Sequence, residues 1–228
     1  MVNSQNAFAQ FRWILVLVFL AIMSSTGVVI AQDQVSVDNI SQTEVGQFPK
    51  DWKTYPFHKG RALRVYKVAE EGGSKFIQAV DNDDISVPIF KDFEWDIVNY
   101  PYLKFKWRAI QLPKGSREVS PATNDSACGV YVGFSRTHAL KYVWSDSLPP
   151  GSFWDKNPGK YEIISREMGE DKKGTWQSVT VNVPVDHQRF FRKPVEKNPI
   201  GIGMLTDGNA VHQPASCDYK DFYVSKTP

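Results

Sequence analysis

The segment Asn124–Ser145, NDSACGVYVGFSRTHALKYVWS, decides the predicted fold because it alternates like two strands joined by a turn. Apolar residues recur at every second position of its first half, and two glycines flank Tyr131 on the opposite face. Ser135–His138 supply a polar turn, and Leu140–Trp144 alternate again as the returning strand. We therefore predict a β-hairpin with one core face. Its other face is an open surface where a ligand or a covering segment could approach the backbone.

Alternating segments joined by turns recur through most of the chain, and no long helix is predicted. The first clear strand is predicted at Arg61–Val68, and a short helix is predicted from a cap at Asp186 to Phe191. The chain is too long for an immunoglobulin domain of about 100 residues, which favours a larger architecture. We predict an all-β fold, a single antiparallel β-sandwich of jelly-roll type, over residues 48–226.

One predicted strand carries charge on its outer face. Within Leu103–Ile110, apolar residues alternate with Lys104, Lys106 and Arg108, which predicts a buried face and a basic face. The basic face is either a solvated surface or an anion-binding surface. The net charge of +2 gives no argument for a nucleic-acid partner or for an anionic membrane.

The N-terminus predicts export. Arg12 precedes an apolar run, and the 19 positions from Trp13 to Ala31 carry no charge. This pattern is typical of a signal peptide over residues 1–31, although an uncleaved anchor has a similar length. Either interpretation places the remainder outside the cytoplasm, as a periplasmic or secreted protein or as a membrane-anchored one. The polar, weakly periodic residues 32–47 are interpreted as a linker.

The cysteine and histidine content bears on disulfides and metals. The two cysteines, Cys128 and Cys217, are predicted to form a disulfide, since paired cysteines are usual in oxidising compartments. The alternative is that both are small buried residues. The four histidines show no HxxxH or HxH spacing, so neither a metal site nor a cofactor is predicted.

Several sequence blocks resemble a bacterial family, the domain-of-unknown-function family 3047 (DUF3047). In chain order, the blocks are Phe48-Pro49-x-x-Trp52, Tyr100-Pro101-x-Leu103, Trp107-Arg108, Leu112-Pro113, Asn124-Asp125-Ser126-Ala127, Tyr142-Val143-Trp144-Ser145, Thr206-Asp207 and Tyr219-x-Asp221. The resemblance extends from Phe48 to Val224. It implies an exported bacterial protein and supplies no catalytic residues. The chain departs from the family pattern after Asp207, where Gly208–Ala210 replaces a longer Asp-Asn-Thr stretch.

Two functions remain open at this point. The first is an exported, non-enzymatic binding module for a carbohydrate or another cell-envelope polymer, because the chain lacks a G-x-S-x-G elbow or another catalytic pattern. The second is a hydrolase of envelope glycans that uses clustered aspartates, which requires two carboxylates about 5 to 10 Å apart. Two carboxylates that face each other in a cleft would favour the hydrolase, and a shallow aromatic surface would favour binding.

The predicted ligand site gathers polar residues from strand ends around one aromatic side chain. Its members are Asp125, Tyr131, Asp207, Asn209 and Asp221, with Trp154 as a lid. A disulfide between the two cysteines would bring Asp125 and Asp221 into one neighbourhood. The alternative interpretation is that these carboxylates cap turns by accepting bonds from nearby backbone amides. The sequence predicts no oligomeric state.

Overall fold

A computed structural model describes residues 32–228. The predicted signal peptide or anchor at residues 1–31 lies outside this range. The described residues form two facing β-sheets, which we call sheet A and sheet B. Sheet A has the spatial order β10 (Gln177–Asn182), β5 (Tyr102–Gln111), β12 (Ala215–Ser225), β3 (Ser74–Asp81) and β2 (Tyr66–Glu71), with β1 (Gln34–Ser36) also paired to β12. Sheet B has the order β4 (Ile89–Asp92), β11 (Gly201–Asp207), β6 (Ser126–Ser135), β7 (His138–Ser145), β9 (Tyr161–Met168) and β8 (Phe153–Asn157).

This architecture confirms the predicted all-β sandwich. The hairpin of β6 and β7 has the predicted strands and turn, and it lies at the centre of sheet B. One strand pair departs from the antiparallel prediction, because β7 and β9 run parallel. The reason is connectivity: β8 and β9 form a hairpin whose second strand, rather than its first, lies against β7.

The core lies between the two sheets. Trp107 of β5 and Trp144 of β7 are both fully buried, and their ring centroids lie 6.2 Å apart across the interface. Cys128 of β6, which lies opposite Trp144 in the strand pairing, bonds to Cys217 of β12, with 5.4 Å between their Cα atoms. The predicted disulfide is therefore confirmed, and it covalently joins sheet B to sheet A.

The predicted strand at Arg61–Val68 is wrong in its first half. Lys59–Val65 form the helix α1, and strand β2 begins only at Tyr66. Ala62 and Val65, three positions apart, are buried, while Leu63 is 53% exposed. That spacing places one helical face against the core, so the period is helical rather than that of a strand.

Residues 32–47, interpreted as a linker, belong instead to the sandwich. Strand β1 pairs antiparallel with the last residues of β12, and Val37 and Ile40 are buried in the core. Strand β3 pairs only with the first half of β12, up to Tyr219. The rest of this edge of β12 is therefore free of β3. Its backbone groups need hydrogen-bond partners, and β1 provides them.

The second helix begins earlier than predicted. Helix α2 (Val183–Phe191) is capped by Asn182, whose side chain accepts a hydrogen bond from the Val185 amide at 3.1 Å. Asp186, the predicted cap, instead accepts a hydrogen bond from the hydroxyl of Tyr142 at 3.0 Å. Within residues 32–228, neither helix has the length and apolar content needed to cross a membrane.

Candidate ligand-binding groove

Strand register places side chains of sheet B in rows across its outer face, which points away from sheet A. Neighbouring residues of paired strands lie side by side on the same face. One row comprises Phe90, Gly203, Tyr131, Lys141, Ile163 and Trp154. The adjacent row comprises Asp92, Gly201, Gly133, Ala139, Tyr161 and Asn157. Small residues therefore meet in the middle of the sheet, with larger ones on both sides.

Apart from Lys141, Ile163 and Trp154, the residues of these rows line a groove of about 900 Å³ on the outer face of sheet B. Gly133, Gly201, Gly203 and Ala139 form its floor. Such a volume lies at the upper end of the range for small-molecule sites, which is about 300 to 1,000 Å³. The floor has few side-chain atoms, so a ligand can approach the strand backbones closely.

Two aromatic pairs stand on either side of this floor. On one side, the rings of Tyr131 and Tyr161 stack at a centroid distance of 6.1 Å and an interplanar angle of 8°. On the other side, the rings of Tyr55 and Phe90 lie 5.4 Å apart. Tyr55 reaches this position because Lys53, two residues earlier, pairs its backbone with that of Phe90.

The floor glycines have different structural roles. A Cβ atom on Gly201 would lie 2.4 Å from the carbonyl oxygen of Lys91, so the close approach of β4 requires glycine there. A Cβ atom on Gly133 would have its nearest neighbour at 3.8 Å. A side chain at Gly133 would therefore fit the backbone but project into the groove.

Lys141 lies in the row beside Tyr131 and is 2% exposed. Its side chain crosses Gly129, where a Cβ atom would lie 2.7 Å from Lys141 Cε. The ammonium lies 5.5 Å from the centroid of the Tyr131 ring. Among the described residues, Lys141 has no hydrogen-bond or ion-pair partner for this group. Burial lowers the pKa of Lys141, but the acidic groups around it, of which Asp207 has the largest influence, together outweigh burial, and the net pKa is raised.

Two further cations lie near the groove, one of them beside the tyrosine pair. The ammonium of Lys156 lies 5.5 Å from the centroid of Tyr161, and desolvation and the charge of Lys141 lower the pKa of Lys156. Arg136, in the turn between β6 and β7, lines the groove and is exposed. Among the described residues that line the groove, Asp92 is the sole carboxylate, and it is paired with Lys53.

The structure brings Asp125 and Asp207 together beside the groove. Asp207 is 5% exposed, and it accepts hydrogen bonds from the Ser126 amide and the Ser86 hydroxyl, each at 3.3 Å. Burial raises the pKa of Asp207 to about 6, and the negative charge of Asp125 adds to the effect. Asp125 is fully buried and accepts a hydrogen bond from the Val211 amide at 2.8 Å through Oδ2, while its Oδ1 has no partner.

The other predicted site residues are distributed over both sheets. Trp154 is half-buried on β8, in the same row as Tyr131, and Asn209 is half-buried in the turn after β11. Asp221 lies on sheet A, where its carboxylate forms an ion pair with Lys106 at 3.0 Å. The structure therefore does not bring Asp221 to the surface that carries Tyr131.

Sequence reasoning missed several residues of the groove. Tyr55, Phe90, Lys141 and Tyr161 were not among the predicted site residues. The available signal was the pair Gly201 and Gly203, two positions apart, because it removes side chains from one face of a strand, as the glycines on either side of Tyr131 do. These two strands pair in the structure. No group of three or more His, Cys, Asp or Glu side chains within residues 32–228 is placed to hold a metal ion.

The family can be stated from a sequence match. Residues 50–223 match the family model described as "Protein of unknown function (DUF3047)". The chain belongs to the DUF3047 family. No curated protein is significantly similar to this family member in sequence.

Similar solved structures of this DUF3047 member include several carbohydrate-related domains. A mutant of CBM29-2, a family 29 carbohydrate-binding module, has a TM-score of 0.39 at 9% identity, covering 85% of this chain and 91% of the other. The xyloglucanase domain of NopAA from Sinorhizobium fredii has a TM-score of 0.41 at 11% identity, covering 81% and 99%. The Emp47p carbohydrate recognition domain has a TM-score of 0.42 at 12% identity, covering 84% and 95%. Because these similarities are low, we take the function from the groove itself.

Proposed function

We propose that this protein is an exported, non-enzymatic module that binds a glycan in the groove on sheet B. The observation that carries this proposal is the floor of small residues between two aromatic pairs. A sugar ring has apolar C–H faces and a polar rim, and aromatic side chains suit the former. Backbone and polar side chains at the edges of the groove can hydrogen-bond the hydroxyl groups.

The carboxylates of the described residues give less support to a hydrolase. A glycosidase needs two carboxyl groups that flank the scissile bond. The groove is lined by one, Asp92, which pairs with Lys53. Asp125 and Asp207 lie next to each other but are 0% and 5% exposed, and neither lines the groove. Their contacts fit the alternative interpretation, in which buried carboxylates accept hydrogen bonds from backbone amides of neighbouring segments.

Export is part of the proposal. The bond between Cys128 and Cys217 suits an oxidising compartment, because structural disulfides persist there and are rare in the cytosol. The apolar N-terminal segment, with its charge at Arg12, supports the same location. A periplasmic or secreted protein would meet envelope or extracellular glycans directly.

Filling the groove tests the proposal. We expect Gly133→Leu to weaken the binding of a glycan-array hit at least about tenfold, because the new side chain occupies the ligand's place. The matched control is Ser178→Leu on β10, which adds a leucine to an exposed position of sheet A. Calorimetric titration measures affinity, and thermal melting verifies that both variants fold.

Incubating the hit with the wild-type protein separates binding from hydrolysis. We expect the glycan to be recovered at its original length, with no new reducing ends. Steady release of product would contradict the non-enzymatic part of the proposal. Equal binding by Gly133→Leu and wild type would show that the groove is not the site.

A further inference from the structure

We infer that the bound glycan is acidic, with its anionic groups held beside Tyr131 and Tyr161. This inference rests on the proposed function of the groove and adds the chemical class of the ligand. It is drawn from the charges around the groove, their partners and their burial. Carboxylate, sulfate and phosphate substituents share the required chemistry, which is an anion able to accept bonds from ammonium and guanidinium groups.

The cations of the groove divide into two groups. On the side of Phe90, Lys53 pairs with Asp92, and Lys91 pairs with Asp51 at 3.6 Å. These charges are therefore neutralised within the protein. Lys141 and Lys156 beside the tyrosine pair, and Arg136 in the turn between β6 and β7, have no ion-pair partner among the described residues. The cations near Phe90 are therefore neutralised, whereas these three are not.

Lys141 is the most informative of these cations. A buried ammonium is costly unless it is paired and hydrogen-bonded, yet Lys141 is 2% exposed and has neither kind of partner. Asp207 supplies a favourable field, but no carboxylate oxygen lies within ion-pair distance. An anionic group bound over the Tyr131 ring would provide the direct ion pair that the protein does not.

The cations also crowd one another. Lys141 and Lys156 both contact the tyrosine pair, and the charge of each disfavours the other. Like charges held together with no carboxylate in ion-pair contact are typical of a site whose counter-ion arrives with the ligand. The two tyrosine rings between them provide the stacking surface for the sugar that carries that anion.

The test compares glycans that differ only in charge. The probes are an oligogalacturonate and its fully methyl-esterified form, with dextran sulfate and dextran as a second pair. We expect the wild-type protein to bind at least one acidic probe about tenfold more tightly than its neutral partner, and the preference to shrink from about 0.05 M to about 0.5 M salt. The two pairs distinguish carboxylate from sulfate recognition.

Charge-removing variants locate the effect. We expect Arg136→Gln and Lys156→Gln each to weaken binding of the acidic probe several-fold, and to leave the neutral probe unchanged. The control is Lys104→Gln, which removes a half-buried cation from the outer face of sheet A. Lys141→Met is expected to have the largest effect. The melting temperature of Lys141→Met is measured alongside. If Lys141→Met does not fold, the variants of the exposed Arg136 and Lys156 test the proposal.

Failures of the two proposals are distinguishable. One outcome would overturn the acidic ligand but keep the glycan groove: acidic and neutral probes bind equally well, Gly133→Leu abolishes both, and the charge variants change neither. The acidic ligand would also be overturned if Lys104→Gln reduced the preference for acidic probes as much as Lys156→Gln does. Absence of binding to every probe, or binding indifferent to Gly133→Leu, would overturn both.

Discussion

The outer faces of the two sheets are built from the same alternating pattern but present opposite surfaces. On sheet A, the outward positions of β5 are Lys104, Lys106 and Arg108, and charged neighbours neutralise two of them. On sheet B, the outward positions of β6 are glycines around Tyr131, and Lys141 and Lys156 beside the tyrosine pair have no ion-pair partner among the described residues. The comparison shows that a polar face becomes a candidate site when small residues leave space and charges stay unpaired.

The aromatic residues of the two faces differ in the same way. On sheet A, the guanidinium of Arg108 lies 4.7 Å and the ammonium of Lys220 4.4 Å from the Trp176 ring centroid. Arg108 also bonds Asp218 and Glu71, at 2.8 and 2.7 Å. The tryptophan and its cations thus satisfy one another, which favours a solvated surface over an anion-binding one. On sheet B, the Tyr131–Tyr161 pair borders an open groove instead.

We expect the largest effect from removing the disulfide that joins the two sheets. Replacing both Cys128 and Cys217 by Ala should lower the free energy of unfolding by about 4 kcal/mol, because the bridge closes a long loop in the unfolded chain. Urea denaturation measures the loss. Wild type treated with a reductant should approach the same stability. An unchanged midpoint would show that the bridge contributes little beyond packing.

We expect the next largest effect from removing an ion pair on the outer face of sheet A. Arg108→Met leaves the carboxylate of Asp218, 1% exposed, without its counter-charge, and should cost about 3 kcal/mol of unfolding free energy. The matched control, Lys104→Met, has no ion pair to lose within residues 32–228 and should change stability by less than about 0.5 kcal/mol. Glycan binding should be unaffected in both. Weaker binding by Arg108→Met at full folding would show that the two faces are coupled.

A pH-dependent effect is expected on β9, the strand next to the edge of sheet B. Glu162 of β9 is 1% exposed, and burial, followed by the neighbouring carboxylate of Asp155, raises its pKa from 4.5 to about 7. The folded state therefore holds an extra proton between pH 4.5 and pH 7, so stability falls as the pH rises through this interval.

Glu162→Gln removes this proton uptake. The unfolding free energy of the variant minus that of wild type should rise from pH 4.5 and level off above pH 7. Denaturant titrations at several pH values measure the difference. Asp92→Asn, at an exposed carboxylate of β4, serves as the control on the same sheet. A difference that stays constant with pH would show that Glu162 ionises normally in the folded protein.

We expect the smallest effect at Asp221, a predicted site residue that lies on sheet A, whereas the groove lies on sheet B. Asp221→Asn removes a partly exposed ion pair with Lys106, which should change stability by less than about 1 kcal/mol. Asparagine tolerates the positive φ of 57° at this position. Glycan affinity should equal that of wild type in calorimetric titration. A clear loss of affinity would indicate a second contact surface on sheet A.

Local patterns predicted much of the fold, and their failures have local causes. The strands with uninterrupted alternation, such as the hairpin through Tyr131, were found where the structure has them. Helix α1 was missed because only Ala62 and Val65 are buried in it. Two buried positions are too few to distinguish the helical period from that of a strand. Strand β1 was missed because three residues carry little alternation, and its pairing depends on a distant edge of β12.

The sequence by itself determined the sandwich class and the open face around Tyr131, since period two and glycine spacing are properties of neighbouring residues. It also determined the disulfide, because two cysteines allow only one pairing. Only the tertiary structure decided which strands lie side by side. Strand pairing placed Gly201 beside Gly133 and Tyr161 next to Tyr131, and it assigned Asp221 to the other sheet. The physical reason is that alternation specifies the face on which a side chain lies, whereas its neighbours across the sheet come from non-local pairing.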